Sequence, residues 1–238
     1  MTIKLPDVSI VIPFFNEGRN VDLIYGSLTR SFQGKSINYE LIMVNNGSSD
    51  DTANFISRIQ KKDGKVKCVN VIHNKGYGFG ILSGLRIAKG NYIGYIDGDD
   101  TQCSSAVPLI YEHAIKNNCD ICKGVRFSRE DNFQRRVASK VYNLIFNILF
   151  LNTLKDINGK PKIMKKELFA ELSLHSNDWF IDSEILIKAL KRKYKICGVL
   201  LNAGKRKVGR SAVRSSTAIE FIKNMAIYRW KQWTNQKL

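Results

Sequence analysis

Three carboxylates follow a short apolar run near the middle of the chain. The run covers residues 92–96, and Asp97, Asp99 and Asp100 come directly after it. A hard divalent cation such as Mg²⁺ or Mn²⁺ takes oxygen ligands from carboxylates and phosphates, and it neutralises a phosphate leaving group. We therefore predict a divalent-metal and phosphate site at Asp97 and Asp99. The alternative is a solvated acidic turn, because Asp and Gly are common turn residues.

The elements that must position these acids alternate between strand and helix in the first half of the chain. Apolar runs typical of strands are at 8–12, 39–44, 66–72 and 92–96, and helical periodicity is at 19–31, 52–60 and 77–88. This alternation predicts an α/β fold with a mostly parallel sheet flanked by helices. Ligands of such sheets bind at the carboxyl ends of the strands, where the three acids are expected.

The second half of the chain is less regular. We predict helices at 106–116, 137–154, 182–191 and 219–233, and strands at 121–127 and 194–201. The helix at 137–154 is strongly apolar except for a polar stripe of Ser139, Asn143 and Asn147. Together with the Trp-bearing helix at 219–233 it suits a membrane interface, although either could be a core helix.

The charge is strongly positive and uneven. The formal net charge is +17, and residues 188–238 hold fourteen Lys and Arg but only one acid, Glu220. Such a balance indicates an anionic partner: nucleic acid, an acidic membrane surface or a phosphorylated substrate. No apolar run reaches the roughly 18 residues needed to span a bilayer.

The five cysteines do not form a recognisable framework. Cys119 and Cys122 make a single Cys-x-x-Cys, but a zinc site needs two more ligands, and the three histidines show no ligand spacing. We interpret the thiols as structural. Residues 1–6 lack the apolar core of a signal peptide, so we expect the reducing cytoplasm.

Several stretches occur together in a fixed order. They are SIVIPFFNE at 9–17, ELIMVNNGSSDDT at 40–52, NKGYGFGILSGLRIAKG at 74–90, DGD at 97–99, GVR at 124–126, DINGKPK at 156–162, WFIDSE at 179–184 and RKVGRS at 206–211. The ordered set resembles the family-2 glycosyltransferases of GT-A (Rossmann-like) fold, in the branch of dolichol-phosphate mannose synthases, polyprenyl-phosphate glycosyltransferases and bacterial cell-surface polysaccharide enzymes. The resemblance covers about residues 8–215. We expect a catalytic domain at 1–215 and a basic amphipathic helix at 216–238.

The resemblance implies an inverting sugar transfer from a nucleotide-sugar donor, with a role for each matched position. The positions implied to bind the nucleotide are Pro13, Asn16 and Glu17 in the first loop, Asn45 and Asn46, and the loop of Asn74, Lys75 and Gly76. Asp97 and Asp99 are implied to bind the nucleotide and its metal, and Arg206 and Ser211 the pyrophosphate of the donor. The family usually has an Asp pair where Asn45 and Asn46 stand, and an amide donates hydrogen bonds that a carboxylate cannot. In the synthases a Gln stands two places after the second Asp; here Thr101 holds that place and Gln102 follows it, and both are candidates for a third metal ligand.

The acceptor decides the mechanism. Arg126, Arg135 and Ser139 resemble residues that receive an acceptor phosphate. A lipid phosphate is already an anionic nucleophile, whereas a sugar hydroxyl requires a general base, for which Asp182 and Glu184 are the candidates. We expect transfer to a polyprenyl phosphate by a peripheral protein at the cytoplasmic face of the cell membrane. The alternative is transfer to a sugar hydroxyl of a growing cell-surface polysaccharide, where Asp182 or Glu184 would act.

Three other functions are weighed against this one. The glycines at 78, 80 and 84 follow a strand and open a helix, as in a dinucleotide-binding oxidoreductase, but they follow the third strand instead of the first. A basic nucleic-acid-binding module would explain the charge but not the acids after residue 96, so we expect no nucleic acid. A catalytically silent relative is the third, because Asn45 and Asn46 replace acids.

Overall fold

The computed structural model describes residues 5–129, 133–203, 224–230 and 234. For residues 102, 127–129, 133–136 and 203 it describes the backbone alone.

One mixed sheet forms the centre of the described chain. Its strands are β1 Val8–Phe14, β2 Tyr39–Asn46, β3 Val66–Val71, β4 Tyr92–Tyr95, β5 Ile121–Arg129, β6 Lys162–Lys165 and β7 Ile196–Ala203. The helices are α1 Gly18–Phe32, α2 Thr52–Lys62, α3 Tyr77–Leu85, α4 Thr101–Ser105, α5 Val107–Lys116, α6 Phe133–Leu149, α7 Lys166–Leu172 and α8 Ile181–Lys191. Residues 224–230 are also helical.

The strand order is β3-β2-β1-β4-β6-β5-β7. β1 pairs in parallel with β2 and β4, β2 with β3, and β5 with β7. β6 is inserted between β4 and β5 and runs antiparallel to both. The predicted α/β fold with a mostly parallel sheet is confirmed, and the parallel strands bring their carboxyl ends to one edge.

Pro13 does not end β1, as the sequence suggested, but lies inside it. The carbonyl of Val11 accepts a hydrogen bond from Ile96 at the end of β4, so Val11 faces β4. Pro13, two residues later, faces the same side, where β4 has already ended. Because no ladder partner is available there, the missing N–H of proline costs no strand hydrogen bond.

The core consists of two layers, one on each face of the sheet, and a third cluster. Alternate residues of β1 enter opposite layers: Ile10 and Ile12 pack with α1 and α5, and Val11 packs with α3 and α8. The third cluster joins α6 and α8 to the helical residues 224–230, where Tyr228 lies 5.6 Å from the ring of Phe180. The proposed division of the chain at residue 215 stays a prediction.

The glycines of α3 serve close packing. A Cβ on Gly84 would lie 2.4 Å from the side chain of Val11, and one on Gly78 would lie 2.2 Å from the carbonyl oxygen of Ser176. The Gly-rich stretch that suggested a dinucleotide site is thus explained by contacts within the fold.

Two side chains of the polar stripe on α6 form hydrogen bonds to backbone groups of the same protein. The Asn143 side chain accepts a hydrogen bond from the backbone N–H of Ile157 at 2.9 Å, and the Asn147 amide donates to the carbonyl of Leu154 at 3.0 Å. These bonds hold the segment after α6 against the helix. No helix in the described parts of the chain is long and apolar enough to cross a bilayer.

Two of the cysteines, which we interpreted as structural thiols in a reducing compartment, are bonded to each other. Cys119 and Cys197 form a disulfide with their Cα atoms 6.0 Å apart. His113, which we judged too distant from the cysteines, lies on α5 beside Cys119 and Cys122. Its spacing to the cysteines is not that of a zinc motif, but the turn between α5 and β5 brings His113 next to them.

Candidate active site

Two carboxylates leave the carboxyl edge of the sheet directly after β4. Asp97 and Asp99 are half-buried, and Gly98 between them is buried. A Cβ on Gly98 would lie 2.6 Å from the carbonyl oxygen of Pro13, so a side chain there would collide with β1. The Asp-x-Asp stretch is therefore packed tightly against the end of the neighbouring strand.

Asp97 is held by Tyr77 and Lys160. The Tyr77 hydroxyl donates to Asp97 Oδ1 at 2.5 Å, and Lys160 Nζ lies 2.9 Å from Oδ1 and 3.2 Å from Oδ2. Tyr77 also stacks on Trp179 with ring centroids 4.1 Å apart. Lys160 lies over both rings, at 4.6 Å and 5.8 Å from their centroids. One carboxylate of the predicted metal site thus has a fixed orientation.

Lys160 also connects Asp97 to Asp182. Its Nζ is 3.3 Å from Asp182 Oδ2, and the lysine side chain is 5% exposed. Burial alone would lower the pKa of Lys160, but the charges of Asp182 and Asp97 raise it above its usual value. The lysine is therefore a permanent positive charge between two acids.

Asp182 is buried among donors. The Tyr95 hydroxyl donates to its Oδ1 at 2.6 Å, and Lys162 Nζ donates to the same oxygen at 2.5 Å. Burial raises the pKa of this carboxyl, but Lys160, Lys162 and the hydrogen bonds outweigh it and lower the pKa to about 2. Asp182 is thus an ionised carboxylate with little tendency to take up a proton at neutral pH.

Glu184 is tied to the loop that precedes α8. Its carboxylate accepts hydrogen bonds from the backbone N–H groups of His175 at 3.1 Å and Ser176 at 2.8 Å. Lys188 Nζ pairs with it at 2.7 Å. The candidate general bases Asp182 and Glu184 therefore both have charged and hydrogen-bonding partners inside the protein, and their catalytic role stays a prediction.

The loop before α8 also packs against the predicted nucleotide-binding loop at residues 74–76. Asn74 Oδ1 accepts a hydrogen bond from Gly76 N at 2.7 Å, and both Asn74 and Lys75 are exposed. Gly76 has a φ of +111°, and a Cβ there would lie 2.3 Å from the carbonyl oxygen of Asn177. Only glycine accommodates both the dihedral angle and this contact.

A hydrogen bond of Asn46 accounts for one of the two amides that stand where the family usually has an Asp pair. Its Nδ2 donates to the carbonyl oxygen of Gly76 at 3.0 Å, which a carboxylate could not do. Its Oδ1 is buried and accepts no hydrogen bond from the described residues. Asn45 next to it accepts from Ser48 N at 3.2 Å and donates to Asn70 at 3.3 Å.

The first loop is built around two side-chain contacts with the segment after β2. Asn16, at a φ of 55°, accepts a hydrogen bond from Ser49 N at 2.8 Å. The backbone N–H of Glu17 donates to the Thr52 hydroxyl at 3.0 Å. Pro13, Asn16 and Glu17 are thus brought to the same edge as Asn45 and Asn46, and their role in binding the nucleoside stays a prediction.

Arg126 is paired with an acid inside the protein. Its Nε and Nη2 donate to the two carboxylate oxygens of Asp156 at 2.8 Å and 2.7 Å, and its backbone N–H adds a third bond at 2.9 Å. Burial opposes ionisation of Asp156, but Arg126 outweighs it and holds the pKa well below its usual value. The role of Arg126 in binding an acceptor phosphate stays a prediction.

The other predicted site residues are placed only in part. Thr101 begins α4, and its carbonyl accepts a hydrogen bond from the Ser27 hydroxyl at 2.9 Å. Ser139 is half-buried on α6, while the side chains of Gln102 and Arg135 are not described. Arg206 and Ser211 lie outside the described residues.

A divalent cation fits the donors next to β4. Asp97 and Asp99 supply the carboxylate oxygens that Mg²⁺ and Mn²⁺ prefer, and these ions commonly complete their shell with water and substrate phosphates. Because Lys160 contacts the same carboxylate, the cation and the ammonium would share the charge of Asp97.

Sequence reasoning assigned no role to Lys160, Lys162, Tyr77 or Trp179. The stretch at 156–162 was noted only as part of the resemblance. Its signal was the presence of two lysines next to a glycine and a proline, in a chain segment that becomes buried.

Known glycosyltransferases are similar to this chain in sequence. The sequence model of Glycosyl transferase family 2 matches residues 9–173. The dolichol-phosphate mannosyltransferase of Pyrococcus furiosus is 28% identical over 237 residues, which are 96% of this chain and 65% of that protein. The undecaprenyl-phosphate 4-deoxy-4-formamido-L-arabinose transferase of Aeromonas hydrophila is 32% identical over 143 residues, which are 59% of this chain and 43% of that protein. This chain therefore spans less than two thirds of either relative.

Solved structures share the fold. Glucosyl-3-phosphoglycerate synthase from Mycobacterium tuberculosis, in complex with Mn²⁺, UDP and phosphoglyceric acid, aligns with a TM-score of 0.74 and 18% identity over 94% of this chain and 78% of that one. The matched family model covers most of the chain, including both strands that lead to Asn46 and Asp97. The chain belongs to Glycosyl transferase family 2.

Proposed function

We propose that the protein is an inverting glycosyltransferase that moves a sugar from a nucleotide-sugar donor to a polyprenyl phosphate. An oxygen of the acceptor phosphate forms a bond to the anomeric carbon of the sugar. The bond from that carbon to the donor diphosphate breaks, and the nucleoside diphosphate leaves. Because the acceptor phosphate is already ionised, the step needs no group to remove a proton.

The choice of a phosphate acceptor rests on one observation: the carboxylates of Asp182 and Glu184 are already paired with groups inside the protein. A general base needs a pKa near the working pH and a free lone pair directed at the acceptor. Asp182 instead has a pKa lowered to about 2 and contacts Lys160, Lys162 and Tyr95. Glu184 is bonded to a loop and to Lys188. This arrangement supports an acceptor that arrives without a proton.

In this proposal the nucleotide-sugar donor binds at the carboxyl ends of β1, β2 and β4. The loop at 74–76 and Asn46 lie on one side, and the acids after β4 lie on the other. A divalent metal at Asp97 and Asp99 would neutralise the charge of the departing diphosphate. Tyr77 and Lys160 would keep Asp97 oriented toward it. Relatives named for polyprenyl-phosphate and dolichyl-phosphate transfer support the same acceptor class.

The test is a transfer assay with the purified full-length chain. UDP-, GDP-, CMP- and dTDP-sugars are each supplied with Mg²⁺ or Mn²⁺ and a short-chain polyprenyl phosphate. We expect one donor to give an acid-labile lipid-phosphate sugar. The matched control acceptor is the same polyprenol without its phosphate, which should give no product.

Two outcomes would contradict the proposal. Transfer to the polyprenol at the same rate as to its phosphate would show that the phosphate is not the nucleophile. Transfer only to a saccharide hydroxyl, with a rate that falls as a single group is protonated, would favour the alternative acceptor and a base at Asp182 or Glu184.

We further propose that the protein acts peripherally at the cytoplasmic face of the membrane. α6 presents an apolar face to solvent, and Leu144 and Ile148 on it are 60% and 64% exposed. The exposed residues recur at helical spacing, and they are Val137, Val141, Leu144 and Ile148. The opposite face carries Tyr142 and Phe146 into the third core cluster. The net charge of +17 complements an anionic leaflet, which attracts each nearby Lys or Arg by about 1 kcal/mol.

The membrane contact is tested by sedimentation with anionic vesicles at low salt. Replacing both Leu144 and Ile148 by Glu removes about 1 kcal/mol or more of apolar burial at each position, so binding should weaken by at least tenfold. The control is Leu109→Glu on α5, a position that is 48% exposed elsewhere on the surface. Equal pelleting of all three proteins would contradict the role of α6.

A further inference from the structure

A cluster of thiols and one imidazole lies under α5, outside the proposed active site. His113 is on α5, Cys119 immediately precedes β5, and Cys122 is on β5. Their candidate ligand atoms all lie within 4.8 Å of one another. Cys197 on β7 is bonded to Cys119 and is the register neighbour of Cys122 across the sheet. Four potential ligands from three elements therefore meet at one point.

The ligand set has the composition of a structural zinc site. Zn²⁺ binds three cysteine sulfurs and one histidine nitrogen in a tetrahedron, with Zn–S distances of about 2.3 Å and Zn–N distances of about 2.0 Å. Neighbouring ligands of such a tetrahedron are somewhat less than 4 Å apart, so the ligand atoms of His113, Cys119 and Cys122 need to move by only about an ångström. The Cys119 and Cys197 sulfurs separate to that spacing once their bond is reduced. Cys119 and Cys122 have the two-residue spacing common in these sites.

We propose that His113, Cys119, Cys122 and Cys197 bind one Zn²⁺ when Cys119 and Cys197 are reduced. The disulfide and the metal site are alternative states of the same residues, because a thiolate ligand cannot also be half of a disulfide. All four coordination positions are filled by the protein, which is the arrangement of a structural site and not of a catalytic one.

The position of the cluster indicates what the metal would stabilise. Cys119 and Cys197 are at the amino-terminal ends of β5 and β7, whereas Arg126 lies further along β5 toward the proposed active site. Among the described residues, β7 is at the edge of the sheet and has β5 as its one strand neighbour. Zinc would therefore fasten this edge strand and α5 to the body of the sheet. Cys119 and Cys122 are fully buried, and His113 is half-buried, so the ion would enter past the histidine.

The experiment uses the full-length protein, purified with a phosphine reductant and freed of metal by a chelator. Co²⁺ is the spectroscopic probe, because tetrahedral thiolate coordination gives a charge-transfer band and intense visible bands. We expect one equivalent of Co²⁺ to produce both, and one equivalent of Zn²⁺ to displace it. Cys122→Ser and His113→Asn should each weaken Zn²⁺ binding by more than tenfold. His113 is half-buried, so its replacement tests the site even where a cysteine variant fails to fold.

Two controls separate this site from other thiols and from the proposed catalytic metal. Cys68→Ser removes a free cysteine on β3 and should leave the bands unchanged. Asp99→Asn should also leave them unchanged, because carboxylates give no thiolate charge-transfer band. Absence of the thiolate band in the reduced wild-type protein would overturn the proposal. So would bands of equal intensity and affinity in Cys122→Ser and His113→Asn.

Discussion

Replacing Asp182 by Asn distinguishes a structural carboxylate from a catalytic base. The change removes the negative charge that pairs with Lys162 at 2.5 Å and with Lys160 at 3.3 Å. Lys160 keeps Asp97 as a charged partner, whereas Lys162 keeps no charged partner among the described residues and is left with the neutral amide oxygen and the carbonyl oxygens of Ile157 and residue 182. Removing one member of a buried ion pair typically costs about 3–5 kcal/mol. We expect the free energy of unfolding in urea at pH 7 to fall by about that amount.

The pH dependence gives an independent measure of the same interaction. The pKa of Asp182 is about 2 in the folded protein, against 3.8 for an unperturbed aspartate. A lowered pKa contributes stability above the unfolded value, and this stability is lost as pH falls through the folded value. The difference in unfolding free energy between wild type and Asp182→Asn should shrink by about 1 kcal/mol between pH 5 and pH 3, and by about 2 kcal/mol at pH 2.

The control for this variant is Glu40→Gln. Glu40 is also buried, but it accepts hydrogen bonds from the Ser9 hydroxyl and from Lys89 N, and it forms no ion pair with the described residues. Gln retains an oxygen for both bonds, so we expect a loss of roughly 1 kcal/mol. The reasoning fails if Asp182→Asn unfolds within 1 kcal/mol of wild type and yet transfers no sugar, since that result is typical of a general base.

Three further predictions concern the donor side. Asn46→Asp should lower the free energy of unfolding by about 1–3 kcal/mol, because it removes the hydrogen-bond donor to Gly76 and places a carboxylate against a carbonyl oxygen. Asn45→Asp is the control and should lower it by less. Equal losses of the two variants in urea unfolding would contradict this prediction. Asp99→Asn should keep the fold and abolish metal-dependent donor binding, and unchanged binding in the presence of a chelator would count against the metal site. Arg206→Ala should weaken nucleoside diphosphate binding in a titration by about 1.5–3 kcal/mol, and Arg206→Lys should restore only part of it. Equal affinities of the wild type and both variants would indicate that Arg206 is a surface charge.

The first half of the fold followed from the sequence. Its strands and helices alternate with clear apolar periodicity, so β1 to β4 and α1 to α3 were predicted within a few residues of their ends. The insertion of β6 was missed. Four residues with a lysine at each end resemble a surface segment, and nothing in the local pattern shows that Lys162 is buried against Asp182.

The site was predictable where its residues belong to turns at strand ends, as Asp97 and Asn46 do. It was not predictable where side chains come from distant segments. Lys160 reaches Asp97 across 63 positions, and only the tertiary fold brings them together. The same applies to His113 and Cys197, whose neighbours are set by the packing of α5 and the register of β7.

The reversed direction of β6 determines where the chain tolerates change. Lys162 at its start pairs with Tyr95 at the end of β4, and Lys165 at its end pairs with Tyr92 at the beginning of β4. The residues that enter β6 therefore lie at the edge of the candidate active site, and those that leave it lie at the opposite edge, where α7 begins. An inserted peptide at an exposed position of that opposite edge should be accommodated without loss of activity, whereas a single residue inserted between 156 and 161 would displace Lys160 from both of its acids. For fusion tags or circular permutation, the far edge is the place to open the chain.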